Sequence, residues 1–148
     1  MNPRAPLLLV DNSDDDVELF QMGLARAGLP NPIEVCRDGV GALDYLLRRG
    51  DHAQRVGPLP ILVLMDMKMP RLDGTDVLAR MRQLPALASI PVVIMSSSSH
   101  QRDITAAYAA GANGFVVKPV DFDRLLETAA AIGRFWGEFN HVPDPGPP

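Results

Sequence analysis

Cysteine is nearly absent from this chain of 148 residues: Cys36 is the only one. An internal disulfide is excluded, and so is a metal cluster built on thiolates; a reducing, cytoplasmic setting is expected. Long hydrophobic runs are missing too, and no stretch approaches the ~18 consecutive apolar residues of a membrane-spanning helix. The N-terminal residues 1–6 are polar and the first apolar run, Leu7–Val10, has only four residues, so no secretory leader is expected. Basic residues are outnumbered, with 14 Lys and Arg against 18 Asp and Glu and a net charge of −4. That balance argues against nucleic acid and against an anionic membrane as partners. A glycine-rich phosphate loop is also lacking. The loop after the first apolar run is acidic rather than lined by backbone amides, which disfavours a nucleotide-binding domain.

What is present is the composition of one globular domain. Hydrophobic residues make up 47% and charged residues 22%, and a chain of this length buries a core without disulfides or a structural metal. Short apolar runs at Leu7–Val10, 61–65, 92–95 and 115–117 are too short for helices and continuous enough for strands buried on both faces. Ile33–Cys36 alternates instead and suits an edge strand. Between them lie helical faces: Val17, Phe20, Leu24 and Ala27; Val40, Leu43 and Leu47; Val77, Met81 and Leu84; Ile104, Ala107 and Tyr108; and Phe122, Leu125, Ala129, Ile132 and Trp136. Five strand–helix units in succession predict an α/β fold with a parallel sheet and helices on both faces. The connection over residues 48–60 is longer than usual. The expected folded domain spans residues 6–136, followed by a flexible Pro-rich C-terminal tail at 137–148 and no output domain.

Open α/β sheets bind ligands beyond the carboxyl ends of their strands. Asp11 and Asn12 follow the first strand, Asp66 the third, Ser96 the fourth, and Lys118 with Pro119 the fifth. The second is followed only by Arg37 and Asp38. Asp11 and Asp66, 55 positions apart, fall on strands predicted to be neighbours. Two close carboxylates do not both ionise cheaply without a cation, and oxygen donors on adjacent strands suit Mg²⁺. A carboxylate nucleophile, a metal, a hydroxyl and an ammonium group together can stabilise a transferring phosphoryl group.

The segments LLLVDN, LVLMDMKMPRLDG, IPVVIMSSS and GFVVKP, in that order and spacing, resemble the receiver domain of two-component response regulators over residues 6–135. The resemblance implies a doubly wound, flavodoxin-like fold with five parallel strands in the order 2-1-3-4-5 and five helices. It implies that Asp66 is the phosphoacceptor for a sensor histidine kinase, with Mg²⁺ held by Asp11, Asp66 and the backbone carbonyl of Lys68. Ser96 would bond a phosphoryl oxygen and Lys118 would pair with the phosphate. Phe115 would be the aromatic switch that moves with Ser96, and the Lys118–Pro119 peptide would be cis. Three features are similar to the small stand-alone regulators that partner phytochrome-type kinases: the long 48–60 connection, the run Ser96-Ser97-Ser98, and the Phe135-Trp136 ending of the last helix. That subgroup tends to dimerise, so a homodimer is expected.

Two positions depart from the family pattern. Asn12 stands where a second metal-binding acid is usual; its amide oxygen can coordinate, but one negative charge is gone and weaker Mg²⁺ binding is expected. Lys68, two residues after Asp66, is a cation able to reach the phosphoryl group and obstruct water, so a long-lived phosphorylated state is expected. Blander readings apply to other residues. Asp14, Asp15 and Asp16 start the first helix, with Ser13 or Asp14 as its cap. A calcium loop fails because Asp16 stands where glycine is needed and Met22 where glutamate is. Cys36 is a small core residue, the methionines at 65, 67, 69, 81 and 95 are packing residues, and His52, His100 and His141 carry no catalytic role. The rival functions are an aspartyl-nucleophile phosphohydrolase, disfavoured because Lys68 replaces the second acid of Asp-x-Asp, and a degenerate receiver that binds partners without being phosphorylated.

Overall fold

The computed structural model describes residues 5–143. Five strands, β1 (Leu7–Val10), β2 (Ile33–Cys36), β3 (Leu62–Asp66), β4 (Val92–Ser96) and β5 (Gly114–Val117), form one parallel sheet in the order β2-β1-β3-β4-β5. Helices α1 (Asp14–Arg26), α2 (Gly39–Leu47), α3 (Gly74–Gln83), α4 (Gln101–Ala109) and α5 (Phe122–Arg134) follow the strands in turn. This is the doubly wound flavodoxin-like fold that the family resemblance implies. Among the described residues, no helix is long and apolar enough to cross a membrane.

The pleat sorts the strand residues into two cores. Leu7 and Leu9 of β1, Leu62 and Leu64 of β3, and Val93 and Met95 of β4 pack with Val17, Phe20 and Leu24 of α1 and Leu125, Ala129 and Ile132 of α5. The alternate residues, Leu8 and Val10, Val63 and Met65, Val92 and Ile94, pack with α2, α3 and Ala107 of α4. Successive strand side chains point to opposite faces, so Asp11 and Asp66 continue the rows that face α1 and α5. The five methionines read as packing residues are all buried. Cys36 is buried as well, and burial, reinforced by nearby Asp38 and Glu34, pushes its thiol up to about 12.

Caps fix where the helices begin. The Ser13 hydroxyl accepts from Asp16 N at 3.3 Å and starts α1, with Asp14, Asp15 and Asp16 in its first turn. The Asp38 carboxylate accepts from Gly41 N at 2.6 Å and starts α2. Gly74, at the start of α3, sits so close to the end of β3 that a Cβ there would lie 2.3 Å from the Asp66 carbonyl oxygen. The 48–60 connection is organised by a single 3₁₀ turn, Gly50–His52, and by Arg55, whose guanidinium lies 4.0 Å from the centroid of the Tyr45 ring.

Four expectations are corrected. β5, expected to be buried on both faces, is only half covered and Val117 is 42% exposed, because this strand is the sheet edge opposite β2 and has one neighbour. In α4 only Ala107 of the expected apolar face is buried; Tyr108 is exposed because the helix lies over that same edge. The last helix does not stop at 136: a π-helical turn, Phe135–Phe139, carries it on, closed by Asn140 N donating to Phe135 O at 2.6 Å. The end of the expected tail, residues 144–148, lies outside the described residues. The Lys118–Pro119 peptide, expected cis, is trans, since no cis bond occurs among the described residues. Trans is the lower-energy form even before proline, and with it Lys118 N still donates to Ser96 O at 2.7 Å.

Candidate functional site

The carboxyl ends of β1, β3, β4 and β5 meet around one ammonium group. Lys118 Nζ donates to Asp11 Oδ2 at 2.7 Å and to Asp16 Oδ2 at 2.9 Å, and lies 3.3 Å from Asp66 Oδ2. The cluster is well covered: the side chain of Asp11 is 0% exposed, Lys118 10% and Asp66 15%. Each group is held by backbone. Asp11 N donates to Cys36 O at 3.0 Å, while Asp11 Oδ1 accepts from Ser13 N at 2.9 Å. Asp66 ends β3, and the next residue, Met67, donates its N–H to Met95 O at 2.8 Å. Ser96 is buried at the end of β4, its hydroxyl accepting from Ser98 N at 3.0 Å.

Burial pushes the Asp66 carboxyl above the usual carboxylate value; the Lys118 charge opposes that, and the Asp11 charge adds to it. Burial alone would lower the Lys118 ammonium, but the hydrogen bonds to Asp11 and Asp16 and the charge of Asp66 outweigh it and hold it fully protonated. Three carboxylates therefore surround one cation, and the pocket keeps an excess of negative charge.

Other site residues expected from the sequence lie around this centre. Asn12 is exposed on the loop between β1 and α1. Lys68 is 70% exposed, with Nζ 3.8 Å from Asp73 Oδ2. Phe115 is half-buried on β5, paired in register with Ile94 and packed against the core beneath α3 and α4. At the rim, Arg37 pairs with Asp14, and Arg71 donates to Asp38 Oδ2 at 2.5 Å. Asp14 is thus drawn outward to Arg37.

Asp16 was legible only as a helix-starting acid, and the structure brings it into the cluster. It is the third residue of α1 after the Ser13 cap, on the turn that lies over the ends of β1 and β5. A run of three acids at a helix start matches the helix dipole so well that the sequence does not single out the one turned toward the sheet.

The oxygen donors that the structure brings together here are the carboxylates of Asp11, Asp16 and Asp66, which suit a hard divalent cation that takes one or two carboxylates and keeps several waters. Among the described residues, no group of three or more acids, histidines or cysteines is arranged to enclose a metal directly. The donor set thus fits a partly hydrated Mg²⁺ or Mn²⁺ rather than an all-protein cage.

The response regulator receiver domain model matches residues 7–130. The chain belongs to the receiver domain family of response regulators. Receiver domains are phosphoacceptor signalling modules rather than enzymes acting on separate substrates, and they imply a cognate histidine kinase. The chain is 32% identical to the response regulator Rcp1 of Synechocystis over 142 residues, 96% of this chain and 95% of that one. The Mn²⁺-bound crystal structure of Rcp1 superposes with a TM-score of 0.87, covering 94% of this chain and 99% of Rcp1. The phosphorylated cyanobacterial phytochrome response regulator RcpA gives 0.87 at 31% identity, covering 95% and 99%. The bacteriophytochrome response regulator RtBRR is 40% identical with a TM-score of 0.76, covering 98% of this chain and 84% of RtBRR. This receiver is therefore similar along nearly its whole length to phytochrome-associated regulators.

Proposed function

We propose that this receiver is a cytoplasmic response regulator in which Asp66 accepts a phosphoryl group from a sensor histidine kinase of the phytochrome type. A phosphorus–nitrogen bond on the kinase histidine breaks, a phosphorus–oxygen bond to an Asp66 carboxylate oxygen forms, and the imidazole leaves. The observation that carries this reading is the Lys118 ammonium 3.3 Å from Asp66 Oδ2 in a covered, acid-rich pocket. That cation keeps a partly desolvated Asp66 available as carboxylate and offers a partner for a phosphoryl oxygen. Asp11, Asp66 and the Lys68 backbone carbonyl would hold Mg²⁺, with the Asn12 amide oxygen as a weak donor. The metal, when bound, neutralises charge developing on the transferring group. Ser96 would donate its hydroxyl to a phosphoryl oxygen, giving up its bond from Ser98 N, and Phe115 would follow as the switch. The output surface is the exposed α4–β5–α5 face, where Tyr108, Val117, Val120 and Phe122 are apolar and open. It would set the affinity of the chain for a second copy or another partner.

One observation favours a second reading. With Asn12 in place of an acid, a receiver that binds partners without being phosphorylated is its rival. Phosphate-affinity electrophoresis after incubation with Mg²⁺ and acetyl phosphate separates the two. The proposal expects a shifted band for the parent and none for Asp66→Asn; an unshifted parent that also fails with phytochrome-type kinases supports the rival.

A further inference from the structure

We propose that Asp16 is a positioning residue of the metal-binding pocket: it supplies the negative charge that Asn12 withholds and holds the Lys118 ammonium beside Asp11 and Asp66. This rests on the metal-dependent reading above. The carboxylate of Asp16 is 2.9 Å from Lys118 Nζ, and Lys118 is the same group that meets Asp11 at 2.7 Å and Asp66 at 3.3 Å. An acid at the third position of a helix commonly reaches back to accept the backbone N–H of the cap residue. Here that N–H, of Ser13, is taken by Asp11 Oδ1 at 2.9 Å. The Ser13 hydroxyl meanwhile satisfies Asp16 N at 3.3 Å. The return bond of the cap is therefore made by Asp11, and the Asp16 carboxylate is left to the lysine.

The neighbouring acids do not share this role. Asp14 is 90% exposed and paired with Arg37 at the rim, and Asp15 is exposed, whereas the Asp16 side chain is only 29% exposed. Asn12, one residue after Asp11, is exposed and carries no charge. The third negative charge of the pocket thus comes from the helix rather than from the loop. A group that acts on a metal through its neighbours changes metal affinity by about 10–100-fold when removed. Asp16 acts in that way, by adding a third negative charge and sharing the Lys118 ammonium that Asp11 and Asp66 would otherwise neutralise alone.

The test is Mn²⁺ binding to the full chain, read by the loss of the free-ion electron paramagnetic resonance signal, for the parent and for Asp15→Asn, Asp16→Asn and the double variant Asn12→Asp with Asp16→Asn. Asp15→Asn removes the same helix-start charge without touching the pocket. The expected result is parent-like binding for Asp15→Asn, binding weaker by about 10–100-fold for Asp16→Asn, and recovery in the double variant. Equal binding by Asp16→Asn and Asp15→Asn overturns the inference and leaves the proposed function standing. Weak binding that the added Asn12→Asp substitution does not restore overturns it as well. A parent that binds no Mn²⁺ overturns both the inference and the metal-dependent reading.

Discussion

Lys118→Met tests the electrostatic account of the site most directly. Methionine keeps much of the volume of the lysine stem and removes the charge together with the N–H donors to Asp11 and Asp16. The side chain of Lys118 is 10% exposed and that of Asp11 0%, so the substitution strands three carboxylates where water does little to screen them. Removing one partner of a buried ion pair costs ~3–5 kcal/mol, because the other charge stays behind uncompensated. For a chain of this size each kcal/mol moves the melting temperature by ~2–4 °C, so a fall of about 6–20 °C is expected. The assay is thermal denaturation followed by circular dichroism in chelator at neutral pH. Two further readings isolate the cause. The deficit should shrink when Asp66→Asn is added, since one of the stranded charges is then gone. It should also shrink as pH falls: Asp66 already binds its proton more tightly than usual through burial, and losing Lys118 strengthens that tendency. The folded variant then takes up protons that the unfolded chain does not, which stabilises it toward acid. A melting temperature within ~2 °C of the parent, or no recovery on adding Asp66→Asn, would refute the reasoning.

Three other substitutions probe separate links. In the metal-free parent, the raised Asp66 pKa means that its ionised form opposes folding. Asp66→Asn is therefore expected to be more stable at neutral pH, by a margin that vanishes as pH drops through the raised pKa toward 3.8; urea titrations across that range measure it, and a less stable variant at neutral pH contradicts it. Gly74→Ala would force a Cβ to 2.3 Å from the Asp66 carbonyl oxygen, so the backbone of β3 must shift; a loss of about 1–3 kcal/mol in urea unfolding is expected, with slower phosphorylation, and parent-like stability counts against the close approach. Lys68→Met removes an exposed cation two residues after the proposed phosphoacceptor Asp66, and the phosphorylated form is expected to decay faster than in the parent, followed by phosphate-affinity electrophoresis over time; an equal or longer lifetime means that Lys68 shields nothing.

The fold was readable because its signals are local and repeated. Leu7–Val10 is apolar throughout, and β3 and β4 are apolar up to their last residues, Asp66 and Ser96, as double burial demands; each is followed by a helical stripe. The sequence failed where an element is covered only in part. The residues Phe115, Val116 and Val117 read like an inner strand, yet they sit at an edge that α4 covers only in part. No local pattern distinguishes an apolar edge from an apolar core. The extension of α5 through Phe135–Phe139 was missed for a related reason: a π turn shifts the helical period, so Phe139 falls off the stripe that ends at Trp136. At the site, Asp11, Asp66, Ser96 and Lys118 were legible because each directly follows an apolar run. Asp16 was not, since its meeting with Lys118 depends on how α1 crosses the strand ends, which residue spacing along one element does not encode.

The charge count at the site gives the proposed switch a direction. Three carboxylates and one ammonium leave an excess of two negative charges around Lys118, which one divalent cation balances. A phosphoryl group on Asp66 adds negative charge at the oxygen side of that residue, and Lys118, already 3.3 Å from Asp66 Oδ2, is the covered cation nearest to it. Lys118 is anchored through its backbone to Ser96, its N–H donating to Ser96 O at 2.7 Å. A pull on the ammonium and a pull on the Ser96 hydroxyl therefore act on the same pair of strand ends, β4 and β5, rather than on separate loops. Those ends carry the half-covered edge on which Phe115 and Val117 lie. In the proposed switch the weakly covered edge and the covered acid pocket are thus two sides of one element: phosphoryl charge would be sensed in the covered pocket, and the response would be expressed where packing is loose enough to change.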